Sequence, residues 1–89
     1  MQMNRPKEWK TNPTNHLERS FSFPDFLQAL QFVNQVGELA EKANHHPDIF
    51  LSWGKVKIEL WSHDVGKITD RDFSLAAKID LLQNKKSAS

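Results

Sequence analysis

Apolar and polar side chains alternate over residues 17–23. This period of two predicts a half-buried β-strand. The polar residues 1–15, which include two prolines, predict an irregular arm that Trp9 would anchor. One side of the strand is predicted to carry Leu17, Arg19, Phe21 and Phe23, and the other side Glu18, Ser20 and Ser22.

The period changes after Pro24 and Asp25. Proline suits the first turn of a helix and aspartate suits its N-terminus. The helix must end before Pro47, because a residue that precedes proline disfavours the α conformation. Gly37 lowers the helix propensity, and a close helix–helix or helix–sheet contact would explain it. Spacings of three and four predict a helix running to about Asn44, with an apolar face of Phe26, Ala29, Leu30, Val33, Val36, Ala40 and Ala43.

Two more strands and a second helix follow. Residues 49–53 predict a short strand, and Gly54 with Lys55 indicates a turn or a bulge. Residues 55–62 alternate again, which points Val56, Ile58 and Leu60 to the core and Lys57, Glu59 and Trp61 the other way. Residues 69–72 predict a capping box that opens a helix. The apolar face of that helix is Leu75, Ala76, Ile79 and Leu82, and residues 83–89 are predicted to form a frayed tail.

This order of elements predicts one α+β domain over residues 1–89. We expect a small antiparallel sheet of about four strands, with two or three helices packed on one face.

Composition and charge exclude several classes of function. The chain has 89 residues, a net charge of +1 and no cysteine. The charge argues against a protein held to nucleic acid by phosphate contacts, and the absence of cysteine excludes disulfides and thiolate chemistry. No apolar run is long enough to span a bilayer. The start lacks an apolar segment like that of a secretory signal, so we expect a cytoplasmic domain.

Three of the four histidines lie where two predicted elements end. His45 and His46 lie at the exit of the first helix, and His63 ends the last strand. Imidazole is the side chain best suited to proton transfer near neutral pH, although adjacent loop histidines are more often polar surface. A zinc site would need three or four convergent ligands, and the histidine spacing does not favour one.

The order Glu41-Lys42-x-x-His45-His46-Pro47, then Trp53, His63 and Asp72, resembles the pattern of the pterin-4a-carbinolamine dehydratases. The segments 21–26 and 62–69 resemble that family's strand-to-helix junction and its second active-site loop, so the resemblance covers about residues 9–82. Many members carry a further N-terminal helix, which we expect this chain to lack. Asn44 stands where some members have aspartate.

The resemblance implies an enzyme, a hydro-lyase that removes water from 4a-hydroxytetrahydrobiopterin to give quinonoid dihydropterin during tetrahydrobiopterin recycling. The implied reaction needs no metal and no cofactor, since the pterin is itself the substrate. His45 and His63 would be the acid and base, and His46 would complete the catalytic set by positioning the substrate. Substrate contacts are implied for Asn44, His45, His46, Pro47, Trp61, Ser62, His63 and Asp64, and supporting roles for Asp72, Trp53 and Arg71.

Several alternatives stay open. Asp72 lies at the third position of the capping box and could serve only the helix start. Trp61 could shape the pocket or a subunit contact. The resemblance also implies a homodimer or homotetramer, and it leaves open whether an aromatic amino acid hydroxylase is the upstream partner. Charge and hydropathy predict no direct nucleic acid partner and no membrane. The main alternative to the enzyme is a non-catalytic dehydratase-like interaction protein, a coactivator or an assembly factor; a further one is a protein that binds pterin without turnover.

Overall fold

The computed structural model describes residues 8–88, with side chains described as far as residue 82. The described elements are β1 (Lys10–Thr11), β2 (Leu17–Ser22), α1 (Phe26–Ala43), β3 (Asp48–Ser52), β4 (Lys55–Leu60) and α2 (Asp70–Ala88). The four strands form one antiparallel sheet in the order β1-β2-β4-β3. The predicted α+β fold is therefore confirmed, with two helices over residues 8–88. Neither of these helices is long and apolar enough to cross a membrane.

Strand β4 is central and sets the register of the sheet. It pairs with β2 through Phe21↔Val56 and Leu17↔Leu60, and with β3 on its other side. The alternation predicted for this strand is confirmed, because Val56, Ile58 and Leu60 are fully buried. Both helices contribute to the same core as these strand residues. Because Leu17 at the start of β2 pairs with Leu60 at the end of β4, the residues just before β2 and just after β4 lie together at one end of the sheet.

Helix α1 buries a stripe centred on a residue that the predicted apolar face omitted. Phe32 is fully buried, and its ring centroid lies 4.7 Å from that of Phe21 and 5.1 Å from that of Phe23. Phe26 is 46% exposed and Ala43 is exposed, so both were wrongly placed on the buried face. The reason is that the strand's aromatic rings select the side of the helix on which Phe32 lies. The buried positions of α1 are Ala29, Phe32, Val36 and Ala40.

The N-terminal segment is anchored by Trp9, as expected. Trp9 is 2% exposed, and its indole nitrogen donates to Asp80 Oδ1 at 3.0 Å. The prediction of an irregular arm is nevertheless wrong at residues 10–11, which form β1 against β2. The part of that prediction on residues 1–7 lies outside the described residues.

Helix α2 continues to Ala88, past the predicted start of the tail at residue 83. Glutamine, lysine and alanine are good helix formers, so a polar segment can extend a helix without adding an apolar face. Residue 89 of the predicted tail lies outside the described residues.

Gly37 and Gly54 differ in the space that their surroundings leave for a side chain. A Cβ built on Gly37 would meet no atom of another described element within 4 Å, so a close helix–helix or helix–sheet contact does not explain this glycine. A Cβ on Gly54 would lie 2.9 Å from the Phe23 carbonyl oxygen. Gly54 therefore permits the close approach of the β3–β4 turn to the chain that follows β2, where the Phe23 N–H donates to the Gly54 carbonyl at 2.8 Å.

Candidate active site

The exit of α1 separates two adjacent histidines into different environments. Asn44 adopts a left-handed conformation (φ 52°, ψ 43°) that ends the helix. The His45 N–H then donates to the Ala40 carbonyl at 3.1 Å, which turns the chain back over the last helical turn. As a result His45 is buried, at 8% exposure, whereas His46 is exposed.

The buried histidine contacts a buried carboxylate. His45 Nε2 lies 2.5 Å from Oδ1 of Asp72, whose side chain is fully buried. An ionised carboxylate only accepts hydrogen bonds, so Nε2 is the nitrogen that carries the proton in this pair. The other nitrogen, Nδ1, is therefore left with a lone pair when the ring is neutral.

The second carboxylate oxygen of Asp72 secures the start of α2. Oδ2 accepts the Thr69 N–H at 2.8 Å and the Ser62 hydroxyl at 2.9 Å. Ser62 Oγ also lies 2.7 Å from Thr69 Oγ1, which accepts the Arg71 N–H at 3.3 Å. The Asp72 half of the predicted capping box is therefore present, while the Thr69 hydroxyl accepts from Arg71 and not from the Asp72 N–H. The same carboxylate caps the helix with one oxygen and contacts the histidine with the other, so the two readings of Asp72 do not exclude each other.

His46 has a separate and exposed partner. Its Nε2 lies 2.6 Å from Oε2 of Glu41, one turn earlier at the end of α1. The side chains are 56% and 79% exposed. A pair so open to solvent contributes little to stability. Its main effect is therefore on the orientation of the His46 ring at the site.

The third histidine lies in a turn that follows β4. The Ser62 N–H donates to the Lys67 carbonyl at 2.9 Å, and the Gly66 N–H donates to the Ser62 carbonyl at 2.8 Å. Gly66 has a φ of 69°, which favours glycine and closes the turn. This turn exposes His63, whose ring stacks on Trp61 with centroids 3.9 Å apart and planes 18° apart.

The three histidines meet at one pocket. It has a volume of about 270 Å³ and is lined by Asn44, His45, His46, His63, Asp64 and Arg71. The Arg71 guanidinium donates to Asp64 Oδ1 at 2.8 Å. That hydrogen bond is the main reason why the pKa of Asp64 lies below its usual value, against a smaller opposing effect of desolvation. The pocket thus combines imidazoles with an ion pair.

Some predicted site residues lie elsewhere. Ser62 is buried in the Asp72 network, and Trp61 lies behind His63. Pro47 lines a larger open groove of about 850 Å³ that shares His46 with the pocket. Trp53 is 72% exposed in the β3–β4 turn, at the end of the hairpin opposite Trp61. Trp53 is therefore not brought to the histidine pocket within this chain.

One neighbour of the site had been assigned no role. His16 stacks on the face of Trp61 opposite His63, with centroids 4.3 Å apart and planes 3° apart. The signal that could have identified it is the strand register, since Leu17 pairs with Leu60 and the preceding residue then lies across from Trp61.

Among the described residues, no group of three or more histidines and carboxylates has a geometry that could hold a metal ion.

Fold and site together define a small α+β domain with a histidine-lined pocket beside a buried carboxylate. Residues 1–82 match the family model described as pterin 4 alpha carbinolamine dehydratase. The chain belongs to this family.

Similar proteins agree with the assignment. A protein of Rickettsia bellii (strain OSU 85-389), named "Putative pterin-4-alpha-carbinolamine dehydratase", is 49% identical over 77 residues, which cover 86% of this chain and 68% of the relative. The crystal structure of a transcriptional coactivator/pterin dehydratase from Brucella melitensis has a TM-score of 0.79 and 32% identity, covering 84% of this chain and 81% of that chain. A pterin dehydratase-like RuBisCO assembly factor of the alpha-carboxysome has a TM-score of 0.73 at 22% identity, covering 91% and 95%. At that identity the last likeness concerns the fold alone.

Proposed function

We propose that this chain catalyses the dehydration of 4a-hydroxytetrahydrobiopterin to quinonoid dihydropterin, by acid–base catalysis from its histidines. The observation that carries the proposal is the meeting of His45, His46 and His63 at one pocket, in a chain of the pterin dehydratase family. The contact between His45 and buried Asp72 supports it further.

The reaction is a balanced loss of water. The C4a–O bond breaks, the electron pair of N5 forms the C4a–N5 double bond, and the N5 proton leaves. The departing hydroxyl gains a proton and leaves as water. One proton is taken up and one is given, with no oxidation, so imidazole side chains alone can supply the chemistry. A well-placed general acid or base contributes about 10²–10⁴-fold to such a step.

His45 is assigned the role of base toward N5–H. Its Nε2 proton is committed to Asp72, which leaves Nδ1 to accept the substrate proton. The imidazolium that forms would lie beside a carboxylate that is already held by Ser62 and Thr69. An orienting carboxylate of this kind fixes the tautomer and stabilises the charged ring.

His63 is assigned the role of acid toward the C4a hydroxyl. It lines the same pocket from the turn after β4, so a flat ring in the pocket would meet imidazoles from two different elements. His46 is held by Glu41 at the rim and is assigned to position the substrate. Arg71 and Asp64 complete the polar lining.

The test is to follow dehydration of synthetic 4a-hydroxytetrahydrobiopterin by absorbance, with and without the protein. We expect the protein to accelerate the reaction in proportion to its concentration. A rate equal to the spontaneous one would contradict the enzyme. Calorimetry with a stable pterin would then tell whether the pocket binds without turnover.

A non-catalytic interaction role is the second candidate. Two large apolar side chains on the β3–β4 hairpin favour it, because Phe50 is 51% exposed and Trp53 is 72% exposed. Contiguous exposed apolar patches mark contact surfaces, and we propose that these two side chains belong to one. The absorbance assay separates the two candidates, since an interaction protein without activity would leave the rate unchanged.

A further inference from the structure

The His63 ring is held in a different way from the other two histidines of the pocket. His45 contacts Asp72 and His46 contacts Glu41, each through a nitrogen. Among residues 8–82, no side chain forms a hydrogen bond with the His63 ring, whose closest described ring partner is the indole of Trp61 at 3.9 Å. Stacking is therefore the contact that can set the orientation of this imidazole.

Trp61 is itself fixed on its other sides. The His16 ring covers its second face at 4.3 Å and is almost parallel to it, at 3°. The indole nitrogen donates to Asp48 Oδ2 at 3.3 Å. We call His16, Trp61 and His63 the three-ring stack.

The sheet provides the anchors of this stack. His16 Nδ1 lies 3.1 Å from Oε1 of Glu59, a residue of β4. Asp48 pairs directly with Glu59 across the β3–β4 ladder, so the two carboxylates that hold the stack are neighbours on the sheet. The rigid end of the sheet is thereby connected to an exposed histidine in a turn.

We propose that Trp61 and His16 are positioning residues, which hold the His63 imidazole in the orientation that the reaction requires. This inference rests on the proposed function. An exposed histidine has two rotatable side-chain bonds and several accessible rotamers, and a displacement of about 1 Å at a reacting group can cost about 10²-fold in rate. The stack restricts the ring to one orientation, and Trp61 acts on the substrate only through His63.

The experiment compares Trp61→Leu with Trp61→Phe, which keeps an aromatic ring against His63. We expect Trp61→Leu to lower kcat about tenfold with KM changed by less than about twofold. Without the indole, His63 loses the orientation in which it donates its proton to the departing hydroxyl, and that interaction is made only in the transition state. Trp61→Phe should recover most of that loss, and His16→Ala should lose less than Trp61→Leu. Phe26→Leu is the matched control, because it makes a similar change at a half-exposed aromatic at the start of α1.

A second readout is independent of turnover. The carbon-bound ring protons of His63 should resonate upfield in the wild type because they lie over the indole, and they can be assigned by their absence in His63→Ala. Trp61→Leu should remove the upfield shift, whereas Phe26→Leu should keep it.

Unchanged His63 resonances or unchanged kcat in Trp61→Leu would overturn the positioning role. A wild type without turnover would instead contradict the proposed function. In that case loss of the upfield shift in Trp61→Leu would still support the holding of the ring, and its persistence would overturn it.

Discussion

The His45 Nε2 atom lies 2.5 Å from Oδ1 of Asp72, and both side chains are buried. The other oxygen of Asp72 accepts the Thr69 N–H at the start of α2. One carboxylate therefore joins the end of α1 to the start of α2 and orients a histidine of the pocket. Folding of the helix pair and assembly of the proposed base depend on the same group.

We expect Asp72→Asn to lower turnover about 10²-fold, because an amide can present its N–H to His45 and select the wrong tautomer. The isosteric side chain preserves the packing, so the fold should persist. Steady-state kinetics and circular dichroism provide the measurements. Asp70→Asn is the matched control, since the same chemical change is made at an exposed position two residues earlier. Equal rates in the two variants would refute the orienting role.

The two histidines assigned to proton transfer should differ in their effect on stability. His45→Ala and His63→Ala should each lower turnover at least about tenfold. His45→Ala also leaves buried Asp72 without one of its donors, and should lower the free energy of unfolding by about 1–3 kcal/mol. The burial of His45 is the reason for this cost, although the residue lies in a loop.

His63 is exposed, so His63→Ala should unfold like the wild type. Urea unfolding and the absorbance assay together test both histidines. Near-normal turnover in the double variant would overturn the catalytic assignment.

The proposed chemistry requires only proton transfer, so removal of metal should leave it intact. Dialysis against a strong chelator should not change the dehydration rate, measured by absorbance before and after treatment. A rate that vanished and returned with zinc would point instead to a metal-activated water.

The local elements could be predicted from the sequence because the apolar period reports directly which face of a strand or helix is buried. The period over residues 55–62 identified the buried side of β4 correctly. For α1 the spacing was right, but the face was rotated away from Phe32. The packing of Phe32 against Phe21 and Phe23 decides that rotation, and the spacing of apolar residues along the helix does not contain this tertiary contact.

The candidate site, like the fold, could be predicted from the sequence only in part. Family resemblance could identify His45 and Asp72, but their contact joins positions 27 residues apart and depends on how the two helices pack. Resemblance also suggested a substrate contact for Trp61, whereas the structure places its ring between His16 and His63. That arrangement depends on the pairing of β2 with β4, which α1 and β3 separate in the sequence. The alternation within each strand identifies its buried face but not which strand lies beside it.

The pH dependence of stability should contain a contribution from Glu59. The pKa of its carboxyl lies below the ordinary value of 4.5, mainly because of the hydrogen bond with His16, with smaller contributions from Asn12 and Lys57 and an opposing effect of burial. A carboxyl with a lowered folded-state pKa binds fewer protons in the folded state than in the unfolded state over the intervening range. Its stabilising contribution is therefore complete above the unfolded value and is lost as the pH falls through the folded value.

Urea unfolding of the wild type and Glu59→Gln at several pH values between 7 and 3 tests this contribution. The difference in the free energy of unfolding should be largest near neutral pH and should shrink below about pH 4.5. A difference that stayed constant over this range would refute the linkage.

The last prediction is that the chain forms a homo-oligomer, a dimer or a tetramer. A short domain has a small core of its own. Strand β3 lies at the edge of the sheet, where its outer backbone groups are open to pairing with another strand. Phe50, in the middle of this strand, is 51% exposed, with Lys57 Nζ 4.7 Å from the centre of its ring. Trp61 had seemed to need cover from a subunit, but His16 and His63 already cover it, so the prediction now depends on the edge strand.

Light scattering behind a sizing column at micromolar concentration should give the mass of two or four chains. Phe50→Lys should shift that mass toward one chain, because a charged side chain on an edge strand opposes strand pairing. Leu27→Lys is the control, since it adds the same charge at a 61% exposed position of α1. A wild-type mass of one chain that does not change on concentration would refute the oligomer. Equal shifts in the two lysine variants would show that added charge, and not the β3 edge, drives dissociation.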